Sequence, residues 1–309
     1  MRKISFLIPV YRNEGSLKLT YEKIAELFSS TLTDYSFEFV FVDDGSDDRS
    51  LEELLEIKKN NQENVKILTF SRNFGQVTAS IAGLKEVTGD AVVMMSADLQ
   101  EPIEIITNMV VEWQKGNEII ICHRDNREDG LFAALTSKFF YSLIRYANKK
   151  MPKGGFDFVL LDRVAMDELN KFDEKNRFFQ GDILWIGYGI KYLPYHRQKR
   201  TIGKSQWTLS KKIKYFIDGV LNTSYIPIRM MSLIGMITSL IGFLYAILIT
   251  YGRLFLKTGP FQGWTPIMVL ILIIGGLIML MLGIIGEYIW RIYDEVRKRP
   301  HYIVKKKYL

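Results

Sequence analysis

The clearest βα unit in the chain is 37-FEFVFVDDGSDDRSLEELLEIKKN-60. An apolar run typical of a buried strand (37–42) leads into two adjacent aspartates, a glycine turn and a segment with helical spacing (49–60). The same order recurs on both sides: further predicted strands cover 4–10, 65–70, 91–96 and 118–122, and further predicted helices cover 17–29, 76–87 and 103–115. Near-continuous apolar strands separated by helices predict an α/β fold with a mostly parallel sheet and helices on both faces.

Charge is divided unevenly along the 309 residues, whose formal net charge is +7. From Arg200 onward there are 15 basic and 4 acidic residues, whereas the part before it has 26 basic and 30 acidic residues. The basic residues of the C-terminal part lie beside long apolar runs, which favours contact with anionic lipid over nucleic acid. A single cysteine, Cys122, excludes an intramolecular disulfide and fits a reducing cytosolic setting.

Two long apolar segments predict membrane spans. Residues 230–252 form an uncharged run of 23 residues, and a second uncharged run of 29 residues covers 258–286. Each can cross a hydrocarbon core of about 30 Å as a helix, and we assign the second span to 265–288. The loop between the spans is poor in basic residues and the outer flanks are rich in them, so both termini are expected in the cytoplasm. The sequence therefore predicts a multi-pass protein of the inner or plasma membrane.

Polar segments follow four of the predicted strands. They are PVYRNEG (9–15), VDDGSDD (42–48), SADLQEP (96–102) and HRDNRED (123–129). Ligands of parallel α/β sheets bind beyond the carboxyl ends of the strands, so the four segments predict one site. The adjacent Asp43 and Asp44 alone would also fit a turn with a helix cap. The other three segments favour a ligand site.

The chemistry of that site is narrowed by two missing motifs. The chain has no G-x-G-x-x-G after its first strand and no G-x-x-x-x-G-K-[ST], so the usual dinucleotide and P-loop arrangements have no support. Phosphate charge must then be neutralised in another way, and a divalent cation is the obvious means. Asp98 and the Gln100 carbonyl suit an incomplete Mg²⁺ or Mn²⁺ cage that phosphate oxygens and water complete.

The segments IPVYRNE (8–14), VDDGSDD, SADLQEP and RTIGKSQW (200–207), taken in this order, resemble glycosyltransferase family 2, which has the GT-A fold. Within it the whole chain is similar to the polyprenyl-phosphate glycosyltransferases, such as bactoprenol glucosyltransferases and dolichol-phosphate mannose synthases. The resemblance implies metal-dependent, inverting transfer of a sugar from a nucleotide sugar, by default UDP-glucose, to undecaprenyl phosphate. The implied partners are the nucleotide sugar, the polyprenyl phosphate lipid and the membrane, with no nucleic acid; a homo-oligomer is left open.

The resemblance also implies residue roles. The nucleotide-sugar site would comprise Pro9, Tyr11, Glu14, Asp43, Asp44, Ala97, Asp98 and Arg124. The lipid phosphate would meet Arg127, Arg200, Lys204 and Ser205. The metal ligands would be Asp98 and Gln100, and the catalytic group would comprise Asp98, Arg124 and Asp157. The role of Asp157 as a base, as a positioning residue or as a surface acid stays open.

One position departs from the pattern of the family. Ser96 stands where many relatives have the first acid of Asp-x-Asp. A metal would therefore depend on Asp98, Gln100 and the donor itself, and it should bind weakly without nucleotide. The departure also leaves open a non-catalytic membrane scaffold with a degenerate nucleotide-binding domain. The retained residues argue against such a scaffold: Asp44, Asp98, Gln100 and Arg200.

A polysaccharide synthase subunit is a further alternative. Such enzymes need more spans to build a channel, and they carry a Gln-x-x-Arg-Trp helix. The nearest segment here, QGDILW (180–185), lacks the arginine.

The expected organisation has a catalytic domain, a juxtamembrane segment, two spans and a tail. The GT-A domain would cover 1–207, an amphipathic juxtamembrane segment 208–229, the spans 230–252 and 265–288, and a basic cytoplasmic tail 289–309. Apolar and aromatic residues at helical spacing also predict an interfacial helix over 130–150. An ordinary core-facing helix is the alternative there.

Overall fold

A computed structural model of the chain describes residues 1–124, 148–198, 226–251 and 265–309, together with Ser142, Arg145, Asp218, Gly219, Leu221 and Phe255. The chain forms two compact units. One comprises Met1–Thr223 and Pro300–Leu309, and the other comprises Ser224–Arg299. Most of the predicted interfacial helix and of the predicted juxtamembrane segment lies outside the described residues.

The N-terminal part alternates strands and helices, as the sequence predicts. Its elements are β1 (Arg2–Val10), α1 (Leu17–Ser30), β2 (Tyr35–Asp43), α2 (Ser50–Asn60), β3 (Val65–Phe70), α3 (Gln76–Leu84), β4 (Ala91–Met94), α4 (Ile105–Gln114) and β5 (Ile119–Arg124). Every strand and helix predicted in this part is confirmed. The largest differences are at element ends, where α3 and β4 stop earlier than predicted.

Five further elements of the sheet unit are described after β5, and the sequence did not predict them. They are β6 (Phe158–Asp162), α5 (Arg163–Asn170), α6 (Phe179–Trp185), β7 (Ile190–Tyr195) and, at the C-terminus, β8 (Val304–Tyr308). The strand order is β7-β5-β6-β4-β1-β2-β3-β8. Strands β1 to β4 are joined by parallel pairs, whereas β6 runs antiparallel between β4 and β5. The described sheet is therefore mixed around a parallel centre, which confirms the predicted α/β class.

Strand β8 changes the interpretation of the C-terminus. It pairs antiparallel with β3 at the sheet edge, within the segment 289–309 that the sequence analysis assigned to a basic tail. The sequence did not predict this strand because its three consecutive lysines break the apolar pattern. Lysines are nevertheless suited to an edge strand, where they face solvent. The aromatic ring of Tyr302 also stacks on Phe70, with centroids 5.1 Å apart. The C-terminal residues are thus part of the sheet, and the tail is shorter than predicted.

Both faces of the sheet are buried. Along β1, Phe6 and Ile8 pack on one side with α1 and α4, while Leu7 packs on the other side with α3. Gly83 of α3 lies so close to β1 that an added Cβ would collide with the Leu7 side chain. Apolar burial on two faces explains why the strands read as continuous hydrophobic runs.

The second unit contains two long helices, α7 (Ile226–Tyr251) and α8 (Thr265–Val296). Both are long and apolar enough to cross a membrane, with mean hydropathy 1.6 over Ile228–Tyr245 and 1.9 over Ile273–Val296. The apolar side chains that the structure describes on both helices are largely exposed. Helix α8 continues past the predicted end of the second span, where Glu287 pairs with Arg291 at 3.2 Å.

Candidate functional site

The carboxyl ends of the central strands meet at one edge of the sheet. The end of β1 is in register with the end of β2 through Val10 and Asp43, and Leu7 of β1 is in register with Met94 of β4. Because β6 is antiparallel, it begins at the same edge, and Asp157 directly precedes it. The structure thus brings together the segments after β1, β2 and β4, as predicted, and places Asp157, a member of the predicted catalytic group, at the same edge.

Asp44 organises the loop after β3. Its two carboxylate oxygens accept the backbone N–H groups of Phe74 at 2.6 Å and of Gly75 at 2.9 Å. The following Gly45 has a φ of +68°, and a Cβ there would lie 2.6 Å from the backbone carbon of Arg72. A glycine is therefore required at this turn. Asp44 has a structural role here, and its predicted contact with the nucleotide stays a prediction.

Asp43 is a buried acid at the end of β2. It is 2 % exposed, and its Oδ1 accepts the Ser46 N–H at 3.1 Å. Burial is the main reason that the pKa of Asp43 is raised above its ordinary value. The bond to Ser46 explains its position within the turn, while its predicted part in nucleotide binding stays a prediction.

Three predicted nucleotide-site residues lie at the end of β1 and just after it. Pro9 lies in β1, and the Tyr11 N–H donates to Asn13 Oδ1 at 2.9 Å. The exposed Glu14 carboxylate lies at the start of α2, where Oε2 accepts the Arg49 N–H at 3.4 Å. These residues line the same edge as Asp44.

Asp98 lies in a tight turn that follows β4. The residue is 5 % exposed, and its Oδ1 accepts the Ser96 hydroxyl at 2.6 Å and the Gln100 N–H at 3.3 Å. Leu99 has a φ of 54°, the left-handed region, which turns the chain back. The Ser16 hydroxyl of the loop before α1 donates to the Ala97 carbonyl at 2.7 Å and attaches the turn to the rest of the domain.

Glu101 is a site residue that the sequence analysis did not select. Its Oε2 lies 2.5 Å from the Ser96 hydroxyl, and the residue is 2 % exposed. Burial, and then the charge of Asp98, raise the pKa of Glu101 to about 7. The Ser96 hydroxyl has a single proton, but two carboxyl groups lie within hydrogen-bond distance of it. When that proton is donated to Asp98, a protonated Glu101 can donate its own proton to the Ser96 oxygen. The motif contains Glu101, but only the geometry of the turn reveals its burial.

Gln100 is hydrogen-bonded to the segment that follows β7. Its Oε1 accepts a hydrogen bond from the Arg197 guanidinium at 2.5 Å, and its Nε2 donates to the Gln198 carbonyl at 3.2 Å. The Gln198 N–H donates to the Gln100 carbonyl at 2.9 Å. Gln100 Oε1, the oxygen predicted to bind the metal, therefore accepts a hydrogen bond from the Arg197 guanidinium in this structure. Arg197 and Gln198 are further residues that the sequence analysis missed.

Arg124, the last residue of β5, forms an ion pair with Asp157, which directly precedes β6. Arg124 Nη2 lies 3.6 Å from Asp157 Oδ2. Burial lowers the pKa of Arg124, but the hydrogen bond with Tyr195 and the charge of Asp157 together raise it above its ordinary value. The Asp157 side chain is half exposed, and Gln180 of α6 donates to its Oδ1 at 3.3 Å. A fixed cation thus lies beside a solvent-accessible carboxylate.

The remaining predicted residues, Arg127, Arg200, Lys204 and Ser205, lie outside the described residues. Arg197 and Gln198 bring the chain to the Asp98 turn just before Arg200 in the sequence. The predicted roles of these residues at a lipid phosphate stay predictions.

The described residues fit a metal ion that the donor helps to hold. They contain no group of three or more His, Cys, Asp and Glu side chains able to bind a metal. Asp98 and Gln100 offer one carboxylate and one amide oxygen in a single turn. That set of hard oxygen ligands suits Mg²⁺ or Mn²⁺, provided that phosphate and water fill the other positions and Gln100 leaves Arg197.

Similarity to known proteins identifies the family. The family described as "Glycosyl transferase family 2" matches residues 5–169. The "Uncharacterized glycosyltransferase YkcC" of Bacillus subtilis (strain 168) is 38% identical over 306 residues, which cover 98% of this chain and 94% of that protein. The "SfII prophage-derived bactoprenol glucosyl transferase" of Shigella flexneri is 33% identical over 306 residues, 98% of each chain.

Among solved structures, glucosyl-3-phosphoglycerate synthase from Mycobacterium tuberculosis in complex with phosphoglyceric acid has a TM-score of 0.48 and 16% sequence identity, covering 72% of this chain and 80% of that chain. The family match includes the segments after β1, β2, β4 and β5, which contain the predicted nucleotide-sugar site residues. The relatives match this chain over almost its whole length. The chain therefore belongs to glycosyltransferase family 2.

Proposed function

We propose that this protein transfers a sugar from a nucleotide sugar to a polyprenyl phosphate at the cytoplasmic face of the membrane. The observation that carries the proposal is the placement of Asp98, Arg124 and Asp157 at one sheet edge, in a chain that also has two span-length apolar helices. The similarity over nearly the full chain to a bactoprenol glucosyl transferase supports the lipid acceptor. UDP-glucose is the donor that we test first, and undecaprenyl phosphate is the first acceptor.

On the donor side, the site needs to stabilise a departing nucleoside diphosphate. Asp98 and Gln100 would hold a Mg²⁺ or Mn²⁺ ion, which would neutralise charge on that leaving group. Arg124 supplies a second, permanent positive charge, since its neighbours raise the pKa of an already basic group. Pro9, Tyr11, Glu14, Asp43, Asp44 and Ala97 would surround the nucleotide.

On the acceptor side, the nucleophile is itself an anion. A lipid monophosphate has a second pKa of about 6, so it is mostly dianionic at neutral pH and needs no strong general base. Asp157 is held by Arg124 and Gln180, which suits a positioning role. Arg127, Arg200, Lys204 and Ser205 would bind the phosphate. One-step displacement at the anomeric carbon would invert its configuration.

The location follows from the spans and their flanks. We propose that α7 and α8 cross the membrane, that both termini and the sheet domain are cytoplasmic, and that the loop 253–264 faces outward. Basic flanks on the proposed cytoplasmic side support this topology. A Gln262→Cys variant should react with a membrane-impermeant thiol reagent in intact cells. If the cysteine reacted only after the membrane was permeabilised, the proposed topology would be contradicted.

A donor screen tests the activity. Purified full-length protein, undecaprenyl phosphate and Mg²⁺ or Mn²⁺ would be incubated with a panel of nucleotide sugars, and lipid-linked product would be measured. We expect one donor, by default UDP-glucose, to give a metal-dependent product. A protein that binds UDP but forms no product with any donor would instead support the non-catalytic scaffold. Product longer than one sugar would support a polysaccharide synthase.

A further inference from the structure

Ser96 lies between two acids at the centre of the site. Its hydroxyl donates to Asp98 Oδ1 at 2.6 Å and lies 2.5 Å from Glu101 Oε2. The Gln100 N–H also reaches Asp98 Oδ1, at 3.3 Å. Two contacts on the same oxygen restrict rotation of the Asp98 carboxylate, which is otherwise a soft torsion.

Glu101 is almost completely buried. It is 2 % exposed, whereas the Ser96 side chain is only partly buried. Glu101 nevertheless interacts electrostatically with Asp98, Asp157 and Arg197. A buried polar group in such a place must have hydrogen-bond partners, and Ser96 is one of them. The geometry thus suggests that Glu101 acts on the site through Ser96.

We propose that Ser96 and Glu101 are positioning residues for the donor-bound metal: Glu101 fixes the Ser96 hydroxyl, and that hydroxyl holds Asp98 Oδ1 in place for cation binding. The inference rests on the proposed function and deepens it. Ser96 cannot be a strong anionic ligand, but in this arrangement it orients Asp98, which can. The acid that orients Ser96 in turn is the buried Glu101.

The first test is calorimetric binding of UDP to the detergent-solubilised full-length protein, with and without Mn²⁺. Ser96→Ala removes the hydroxyl, and we expect the metal-assisted gain in UDP affinity to fall about 5- to 10-fold, as for the loss of one well-placed hydrogen bond. Ser96→Thr keeps the hydroxyl and should restore most of the gain. UDP affinity without metal should be unchanged in both variants. Ser71→Ala, at an exposed serine after β3, is the matched control.

The second test asks whether the two residues act as a unit. Glu101→Leu should reproduce the effect of Ser96→Ala, while Glu101→Gln keeps a polar partner for the hydroxyl and should remain within about 3-fold of wild type. The double variant Ser96→Ala with Glu101→Leu should be no worse than either single variant, because coupled residues are not additive. Thermal melting of each variant checks the fold. If Glu101→Leu does not fold, the comparison of Ser96→Ala with Ser96→Thr decides alone.

Two results would overturn the proposal. One is a Ser96→Ala protein whose metal-assisted UDP binding equals that of wild type. The other is a pair of losses that add in the double variant, since independent contributions would then explain them. A wild-type protein without metal-assisted UDP binding would instead contradict the proposed function. The failures of the two proposals are therefore distinguishable.

Discussion

Glu38 and Glu101 are both buried glutamates of the same domain, but they lie toward opposite ends of the parallel strands. Glu38 is 1 % exposed near the start of β2, and Glu101 is 2 % exposed after the end of β4. Burial alone raises the pKa of either group. In Glu38 this is outweighed by hydrogen bonds, first from Ser5 and Thr88, so that its pKa falls to about 2. In Glu101 burial and the charge of Asp98 prevail, and its pKa rises to about 7.

The difference lies in the neighbours. The Glu38 carboxylate accepts the Ser5 hydroxyl and the Thr88 N–H at 2.6 Å each, and the ammonium groups of Lys66 and Lys3 lie at 3.0 and 3.2 Å. Glu101 instead lies across the Ser96 hydroxyl from the Asp98 carboxylate, and the charge of Asp157 also raises its pKa. A buried acid with many donors stabilises the fold, whereas a buried acid beside like charges is typical of a functional site. We therefore expect acids at the two ends to respond differently to substitution.

The largest expected effect is the loss of turnover when Asp98, at the carboxyl end of β4, is replaced. Asp98→Asn keeps nearly the same volume, so the fold should survive, but it removes the only strong anionic ligand proposed for the metal. We expect turnover to fall about 10²- to 10³-fold, the usual result of losing one electrostatic contribution of about 3–4 kcal/mol. Turnover across a Mn²⁺ titration, with thermal melting as a control, measures it. Unchanged turnover in excess chelator would show that the turn binds no metal.

Stability should change at the other end of the strands. Glu38→Gln replaces an ionised acceptor that several donors share, and we expect a loss of about 2–3 kcal/mol in the free energy of unfolding. Metal-assisted UDP affinity should stay as in wild type. Denaturant unfolding of the two proteins measures the change, and Glu22→Gln on the exposed face of α1 serves as the control. Equal stability of Glu38→Gln and Glu22→Gln would remove the contrast between the two ends.

The two glutamates should also give opposite dependences of stability on pH. The folded-state pKa of Glu38 is lowered, so its contribution is present above its ordinary pKa of 4.5 and is lost as the pH falls toward 2. The folded-state pKa of Glu101 is raised, so its contribution is present below 4.5 and is lost as the pH rises through about 7.

Unfolding free energies measured from pH 5 to 8 test the contribution of Glu101. Wild type should lose up to about 3 kcal/mol over this range from this group, because each tenfold difference in proton affinity between the folded and unfolded states corresponds to about 1.4 kcal/mol. Glu101→Gln should flatten the slope, and Glu38→Gln should leave it unchanged. An identical slope in wild type and Glu101→Gln would mean that Glu101 is ionised throughout.

The smallest expected effect concerns Arg197. Its guanidinium occupies Gln100 Oε1, the oxygen that a metal would need. Arg197→Ala should therefore raise the affinity for Mn²⁺ in the presence of UDP by about 2- to 5-fold, since an exposed charged contact is worth about 1 kcal/mol or less. Calorimetry on the full-length protein measures it, with Arg49→Ala as a control at an exposed arginine just before α2. A decrease would indicate that Arg197 itself supports the donor site.

The secondary structure up to β5 could be predicted because each element has a strong local pattern. Apolar runs such as that of β2 are bounded by turn residues, and helices such as α2 show regular spacing. Strand β6 (FVLLD) is apolar but only five residues long, β7 (IKYLPY) contains a proline and is mostly half-exposed, and β8 (VKKKY) is rich in lysine. These strands depend on pairing with partners far away in the sequence, which a local pattern does not contain.

The site was predictable to a similar degree. The acids that follow β2 and β4 are visible in the sequence, and parallel strands imply that their ends meet. The contacts of Glu101 with Ser96 and of Arg197 with Gln100 are not visible there. They depend on a left-handed turn at Leu99 and on the return of the chain after β7. A carboxylate in the motif can be recognised from sequence, but its protonation depends on what surrounds it.

The sequence by itself determined the family, the α/β class, the two apolar helices and the loops that form the site. Hydrophobic periodicity and turn chemistry are local, so they are readable without the fold. Only the tertiary structure decided that β8 closes one edge of the sheet, that Asp44 holds the loop after β3, and that Glu38 and Glu101 differ in charge. The physical reason is that hydrogen bonding and desolvation act between residues distant in the chain, and they set both strand pairing and pKa.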